Sequence, residues 1–408
     1  MITNDILNGD FKSRLFTNVI EEELSTKCLF TKVGEGLKKI FSSSPYKSVL
    51  VVCHDDNFLG QGNDVRKILQ SINVFVSLIS LGEENLTEDY ISMLYNGENA
   101  VVVIGDNELI DLVKAFIGAK NLFSVAIPTT CVMANVFTSY VKKIEDGRVK
   151  NQKVKVLDAV IIDKAYYSSN KKKYTAISYS LLVSKLITLI DYKIAVLGNF
   201  TKFNKRIYNY LKETVFTYGL QVSTFKNITD ALAIGTLRLS ITEELSDILS
   251  FGGENIVADV LFANVNAPIG ELQLTAFYKL APLYLLYLEE GYLTPSLPDL
   301  VSHVFEFSEF TNIPEYSLLD GYSKFSPTET RKRVLSVAQS SLLKDLKFII
   351  KSIDDVKKTY KFFYNAKQKL SSISPSDLKR YVKEGAYLSN GNLLTFMKDD
   401  GFADLICK

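Results

Sequence analysis

About the first 165 residues alternate between short β-branched runs and stretches of helical period. Ser48 to Cys53, Ser-Val-Leu-Val-Val-Cys, is a continuous apolar run ending on His54-Asp55-Asp56, the pattern of a strand buried on both faces. Asn73 to Ser80 and Ala100 to Gly105 repeat it, with the helical stretches Val65 to Ile72 and Thr87 to Leu94 between. Ser124 to Ile127 and Val160 to Asp163 add two further strands. Strands spaced by helices of this length predict right-handed βαβ crossovers and a parallel sheet.

After Asp163 the texture changes. Ser168 to Lys173 is a polar, basic loop, read as a solvated connector rather than an anion site, and beyond it the chain has helical period throughout. Ser326-Pro327-Thr328-Glu329 combines an N-cap, a first-turn proline and a capping-box glutamate, which predicts a long helix to about Leu370. Ser374-Pro375-Ser376-Asp377 repeats the device and predicts another. The expected division is residues 1–168, an α/β domain of Rossmann-like parallel-sheet type, and residues 169–408, an all-helical domain.

The apolar stretches Leu181 to Leu197 and Leu274 to Leu288 are broken by Lys185, Asp191 and Lys193, and by Lys279 and Pro282. Neither reaches the roughly 20 apolar residues of a membrane span. The first ten residues lack a basic start and an apolar core, so no signal peptide is expected. Lys and Arg number 47 against 46 Asp and Glu, which leaves no global field to recruit nucleic acid or an acidic surface. The four cysteines, Cys28, Cys53, Cys131 and Cys407, show no Cys-x-x-Cys spacing, as expected of reduced thiols in a cytoplasmic protein.

Several segments carry candidate chemistry. The strand Ala100 to Gly105 runs into Asp106-Asn107-Glu108-Leu109-Ile110-Asp111-Leu112-Val113-Lys114, a strand-to-helix turn of the kind that holds phosphates. The next strand ends Ile127-Pro128-Thr129-Thr130, followed by Cys131-Val132-Met133-Ala134-Asn135. Further on stand Ser178-Tyr179-Ser180-Leu181 with Lys185 and Asp191-Tyr192, then Ser250-Phe251-Gly252-Gly253-Glu254-Asn255, then Ala267-Pro268-Ile269-Gly270-Glu271. Near the C-terminus lies Tyr387-Leu388-Ser389-Asn390-Gly391-Asn392-Leu393-Leu394-Thr395-Phe396.

In this order the segments resemble the motifs of glycerol-1-phosphate dehydrogenases, within the dehydroquinate synthase and iron-containing alcohol dehydrogenase superfamily. The resemblance runs from about Lys32 to Asp404 and implies a dehydroquinate synthase-like fold, in which a helical second domain carries the metal site. It assigns the cofactor-side positions to Gly105, Asp111, Thr129 and Thr130, with Asp55 and His54 near the ribose. Gly105, Asp111 and Lys114 match the family's Gly-Gly-Gly-Ser-x-x-Asp-x-x-Lys turn, but Asn107 replaces a glycine. Asp106 and Glu108 put carboxylates where phosphate oxygens would lie, so NAD(P) binding is expected to be weakened or lost.

The resemblance also locates the three metal ligands, and here the positions read Leu181, Asn255 and Ile269. The substrate-pocket aspartate reads Ala134, and two C-terminal arginines read Ser389 and Gly391. A zinc or iron site takes three protein ligands, which leucine, asparagine and isoleucine do not supply, so no catalytic metal is expected. A slip of one residue would offer Ser180, a poor ligand. His54 and His303 are the chain's two histidines and are read as ordinary imidazoles; Glu254, Asp259 and Glu271 are the alternative hard-oxygen set. Two readings follow. One is a non-catalytic relative with a binding or assembly role, as a homodimer or with a pathway partner protein, without nucleic acid or membrane. The other is a metal-independent NAD(P)-dependent oxidoreductase acting on a small carbonyl or polyol phosphate, with Lys185 or Tyr179 as the electrophile.

Overall fold

A computed structural model describes residues 11–168, 172–197, 200–265, 267–290, 342–363, 374–389 and 391–399. His303, the predicted cap at Ser326 to Glu329 and Cys407 lie outside the described residues. The chain folds into two compact units. One is built from the described residues of Met1–Lys143, Lys150–Ser178 and Thr217–Leu245; the other from those of Ile144–Val149, Tyr179–Phe216 and Ser246–Lys408.

The first unit holds a six-stranded sheet made of β1 (Lys27–Phe30), β2 (Ser48–His54), β3 (Phe75–Leu81), β4 (Ala100–Gly105), β5 (Phe123–Pro128) and β8 (Ala159–Ile162). The order is β1-β8-β5-β4-β2-β3, and every adjacent pair is parallel. Each of the five strands expected from the sequence is present at its expected place. The interior strands are buried on both faces because alternate residues point to opposite sides: Val49, Val51 and Cys53 join Val102, Ile104, Val125 and Ile127 in one core, while Leu50, Val52, Val101 and Val103 are equally inaccessible. Crossover helices include α1 (Val33–Phe41), α2 (Asn63–Gln70), α3 (Glu88–Leu94) and α4 (Asn107–Lys120). Thr87 caps α3, its hydroxyl accepting the Tyr90 N–H at 3.2 Å.

Two elements depart from the sequence expectation. The edge strand β1 is only four residues long, too short to announce itself as a hydrophobic run. A hairpin, β6 (Tyr140–Glu145) and β7 (Arg148–Lys153), interrupts the alternation through Asp146 and Gly147, both at positive φ. That is the backbone a two-residue hairpin turn demands.

The remaining elements are helical: α5 (Lys172–Leu197), α6 (Lys205–Glu213), α7 (Ile228–Leu245), α8 (Gly253–Asn264), α9 (Ile269–Glu290), α10 (Leu343–Phe363), α11 (Pro375–Leu388) and α12 (Leu393–Asp399). Helix α7 belongs to the first unit, and α5 gives Lys172 to Ser178 to the first and the rest to the second. The predicted cap of α11 is present, with the Ser374 hydroxyl accepting the Asp377 N–H at 3.0 Å and Pro375 in the first turn. No helix among the described residues is long and apolar enough to cross a membrane.

Candidate functional site

The strand-to-helix turn after β4 is tightly built. A Cβ at Gly105 would come within 2.6 Å of Leu109 Cδ2, so the glycine lets the first turn of α4 close over the strand end. The Thr129 N–H donates to the Gly105 carbonyl at 2.9 Å, tying the next strand end to the same place. Asp106 caps α4 by accepting the Leu109 N–H at Oδ1, 3.2 Å away. The same oxygen lies 3.2 Å from His54 Nε2, and Oδ2 accepts from the Tyr174 hydroxyl at 3.4 Å.

These contacts set the charge of the turn. Burial works against the ionised form of Asp106, but His54, the Leu109 N–H and the Tyr174 hydroxyl outweigh it and hold the carboxyl below its ordinary range. Burial likewise opposes a charged His54, yet Asp106 and the nearby Glu108 carry its pKa above the usual value. Glu108 is pushed up, first by desolvation and then by Asp106. The α4 N-terminus therefore faces a fixed carboxylate that also occupies one of its free N–H groups. This donor set does not fit a pyrophosphate.

Lys114, Asp111, Asn107 and Thr130 are committed to internal bonds. Lys114 is fully buried and donates to Asp111 Oδ1 at 3.3 Å, the Asn135 carbonyl at 2.9 Å, the Thr138 hydroxyl at 2.8 Å and the Tyr140 carbonyl at 3.2 Å. The second Asp111 oxygen accepts from the Asn135 side chain, and Asn107 Oδ1 accepts the Asn135 N–H at 3.1 Å. Thr130 closes a local turn on Val132, and Thr129 is 8% exposed. Asp55 is exposed at the carboxyl end of β2, its carboxylate lying against Gly82.

The segment after Thr130 is held by a polar stripe on α7 that the sequence reading missed. The Thr236 hydroxyl donates to the Cys131 carbonyl at 2.7 Å and accepts the Met133 N–H at 3.2 Å. Ser240 accepts the Phe137 N–H at 2.8 Å and Glu244 accepts that of Ser139 at 2.8 Å. Residues 236, 240 and 244 share one helix face by their i, i+4 spacing, which was the available signal. Ala134 is buried in this segment.

In the second unit, α5, α8 and α9 meet at a buried polar cluster. Lys185 Nζ donates to Asn255 Oδ1, to Gln273 Oε1 at 3.1 Å and to Glu254 Oε1 at 3.3 Å. Gln273 Nε2 donates to Asn255 Oδ1 at 2.8 Å, and Asn255 Nδ2 donates to the Leu249 carbonyl at 2.7 Å. Thr188 donates to Glu254 Oε1. Burial pushes the Glu254 carboxyl up, opposed by the Lys185 ammonium and the Thr188 hydroxyl. Its second oxygen is buried and has no hydrogen-bond partner among the described residues.

This cluster sits one helical turn beyond two of the positions where the sequence resemblance puts metal ligands, since Lys185 follows Leu181 and Gln273 follows Ile269 at i+4. At Asn255, where the resemblance puts the third ligand, the side-chain oxygen accepts from the Lys185 ammonium and the Gln273 amide, and the side-chain nitrogen donates to the Leu249 carbonyl. A divalent cation there would face that ammonium, while Leu181 and Ile269 bring no donor atom. The residues present do not fit the metal. Among the described residues no three His, Cys, Asp or Glu side chains come together to hold one, which also removes Glu254, Asp259 and Glu271 as a hard-oxygen set.

Neighbouring motif residues have architectural roles. Asp191 is fully buried and accepts the Gly253 N–H at 2.8 Å and the Tyr284 hydroxyl at 3.0 Å on one oxygen, and the Leu393 N–H at 2.9 Å on the other. It thereby caps α8 and α12. A Cβ at Gly253 would collide with the Tyr284 hydroxyl, and one at Gly252 with the Thr188 hydroxyl. Gly391 has φ +77°, and a Cβ there would lie 2.6 Å from the Phe200 ring. Ser389 donates to the Gly385 carbonyl at 2.7 Å. Tyr179 packs edge-on against Phe363 with its hydroxyl bonded to Thr359, and burial raises its pKa. On α5 it stands six residues from Lys185, about 120° around the helix.

No family model matches the sequence, and no curated protein does. Solved structures do match in three dimensions. Glycerol dehydrogenase from Schizosaccharomyces pombe is 13% identical over 84% of this chain and 92% of that one, with a TM-score of 0.53. An iron-containing alcohol dehydrogenase is 15% identical over 94% and 98%, with a TM-score of 0.50. A 1,3-propanediol oxidoreductase is 13% identical over 92% and 97%, with a TM-score of 0.55. At such identities the likeness carries the architecture and not the reaction: this chain has the fold of the iron-containing alcohol dehydrogenase superfamily.

Proposed function

We propose that the chain is a metal-depleted, non-catalytic relative of the glycerol-1-phosphate dehydrogenases that keeps their fold for a binding or assembly role. The observation that carries this reading is the bonding of Asn255. Its carbonyl oxygen receives both the Lys185 ammonium and the Gln273 amide, at the position where the resemblance puts a metal ligand. The competing reading, a metal-independent NAD(P)-dependent oxidoreductase, needs an electrophile to polarise a carbonyl. Lys185 is bonded to three internal acceptors, and the Tyr179 hydroxyl is buried against α10.

Elemental analysis of the purified chain tests the proposal. The expected result is no stoichiometric zinc, iron or nickel and no rise in melting temperature on adding any of them. A tightly bound transition metal overturns it. Titration with NADH and NADPH by fluorescence separates the two readings, since the proposal expects no binding at millimolar cofactor and the oxidoreductase requires it.

A further inference from the structure

At the meeting of α5, α8 and α9 a primary amine, a carboxamide and a carboxyl group touch one another within one compact unit. Lys185 is 3% exposed and Glu254 fully buried, while Asn255 is partly open to solvent. An ion pair shut in this way has lost its hydration, and the burial that opposes two charges favours passage of a proton from Lys185 Nζ to Glu254 Oε1, 3.3 Å away. A lysine that has given up its proton in a dry site is a nucleophile. Its nitrogen is bonded to Asn255 Oδ1, and the amide carbon lies one carbonyl bond further on, about 1.2 Å.

The surrounding groups are those an acyl transfer uses. Gln273 holds both reactants: Oε1 accepts from Lys185 at 3.1 Å, and Nε2 donates at 2.8 Å to Asn255 Oδ1, where negative charge gathers when the carbonyl is attacked. The Leu249 carbonyl accepts from Asn255 Nδ2 at 2.7 Å and keeps the amide from turning. Thr188 fixes Glu254 by donating to Oε1, and Oε2, with no partner among the described residues, is left to carry a proton. We infer that Lys185 and Asn255 join in an isopeptide bond that the chain forms on itself, with Glu254 as proton carrier and Gln273 as oxyanion donor.

The step balances within the cluster. Glu254 takes one proton from the Lys185 ammonium, and after a turn of the lysine side chain the freed lone pair attacks Asn255 Cγ from above the amide plane. The carbonyl π pair moves onto Oδ1. Glu254 then gives its proton to Nδ2 and takes a second from Nζ; the pair on Oδ1 returns to the carbonyl, the Cγ–Nδ2 bond breaks, and ammonia leaves by the exposed side of Asn255. Glu254 ends neutral, and no oxidant or co-reactant is consumed. Contact held by three helices replaces the encounter that makes amine and amide slow to react in solution. The product ties α5 to α8, at residues 70 apart in the chain, by a link that no thiol reductant opens.

Intact mass spectrometry of the full chain, kept folded for several days, tests this. The expected mass is that of the sequence less one ammonia molecule. Trypsin does not cut after an acylated lysine, so the digest should contain residues 174–193 joined to residues 239–279 as one branched peptide. Lys185→Arg removes the nucleophile and Glu254→Gln the proton carrier, and each variant should show its full sequence mass. A wild type of full sequence mass overturns the inference. So does a deficit of one ammonia without the branched peptide, which a succinimide at Asn96-Gly97 would leave. If either variant does not fold, the wild-type mass and digest decide by themselves. The inference rests on the reading of this cluster as free of metal, and the two fail separately: bound metal in elemental analysis sinks that reading, whereas a metal-free chain of full mass sinks the isopeptide bond alone.

Discussion

Asp191 on α5 accepts the backbone N–H of Gly253 at 2.8 Å, so a carboxyl group 62 residues earlier in the chain caps the helix that begins with the Gly-Gly-Glu motif. The Leu393 N–H reaches its other oxygen, and α12 is capped by the same side chain. A helix start leaves N–H groups without intrahelical partners, and inside a protein they need an acceptor. One aspartate supplies it for two helices.

Asp191→Ala should therefore lower the stability of the chain by about 3 kcal/mol or more, since buried donors lose their acceptor. Urea denaturation followed by circular dichroism measures it. Burial pushes the Asp191 carboxyl from 3.8 up to about 8, against the lowering effect of its hydrogen bonds. A folded-state pKa above the unfolded one favours the fold at low pH and is lost as pH rises through the folded value. Wild type should accordingly lose stability relative to Asp191→Asn as pH rises from about 4 to about 8; a wild type that gains on the variant over that range contradicts the assignment.

Lys185→Met should leave Glu254 buried without its cation. Breaking a buried pair from one side costs about 3–5 kcal/mol, and replacing both partners costs less. The double variant Lys185→Met with Glu254→Gln should recover part of the loss in a double-mutant cycle. Strictly additive losses would mean that the two side chains are not coupled.

His54 should titrate above 6.5 in an NMR experiment, because Asp106 faces its ring. The contribution of His54 is complete below its unfolded pKa and fades as pH rises through the folded one, while that of Asp106, whose pKa is lowered, fades as pH falls through its own value. The pair thus stabilises most between about pH 4 and pH 6.5. In Asp106→Asn the His54 titration should move down; an unchanged titration refutes the pairing.

Asp106→Ser with Glu108→Ser should tighten NADH binding. Serine keeps the helix cap, and removing two carboxylates relieves about 1 kcal/mol of repulsion each near water, roughly thirtyfold together. Fluorescence titration against wild type reads this directly. No gain would show that the acidic turn is not what opposes the cofactor.

The strands of the first unit were legible in the sequence because burial on both faces writes a continuous apolar run, as in Val49 to Cys53. The N-cap at Ser374 was legible because capping is local chemistry over three residues. The strand β1 and the β6-β7 hairpin were not, one being short and the other polar. The stripe of Thr236, Ser240 and Glu244 was hidden for another reason. Buried polar residues on a helix gain meaning only from the backbone they meet, here residues 131 to 139.

Local pattern and motif order determined the parallel α/β sheet and the helical remainder, and the sequence by itself places Leu181, Asn255 and Ile269 where the resemblance puts metal ligands. Those properties depend on residue identity and on spacing along the chain. Only the tertiary structure decided what became of the recognisable residues. Lys185, Asn255 and Gln273 joined in one buried cluster, Asp191 became a double cap, and Asp106 turned its charge onto His54. Each outcome depends on distances between helices and strand ends far apart in sequence, and a buried charge takes its role from the partners that burial leaves it.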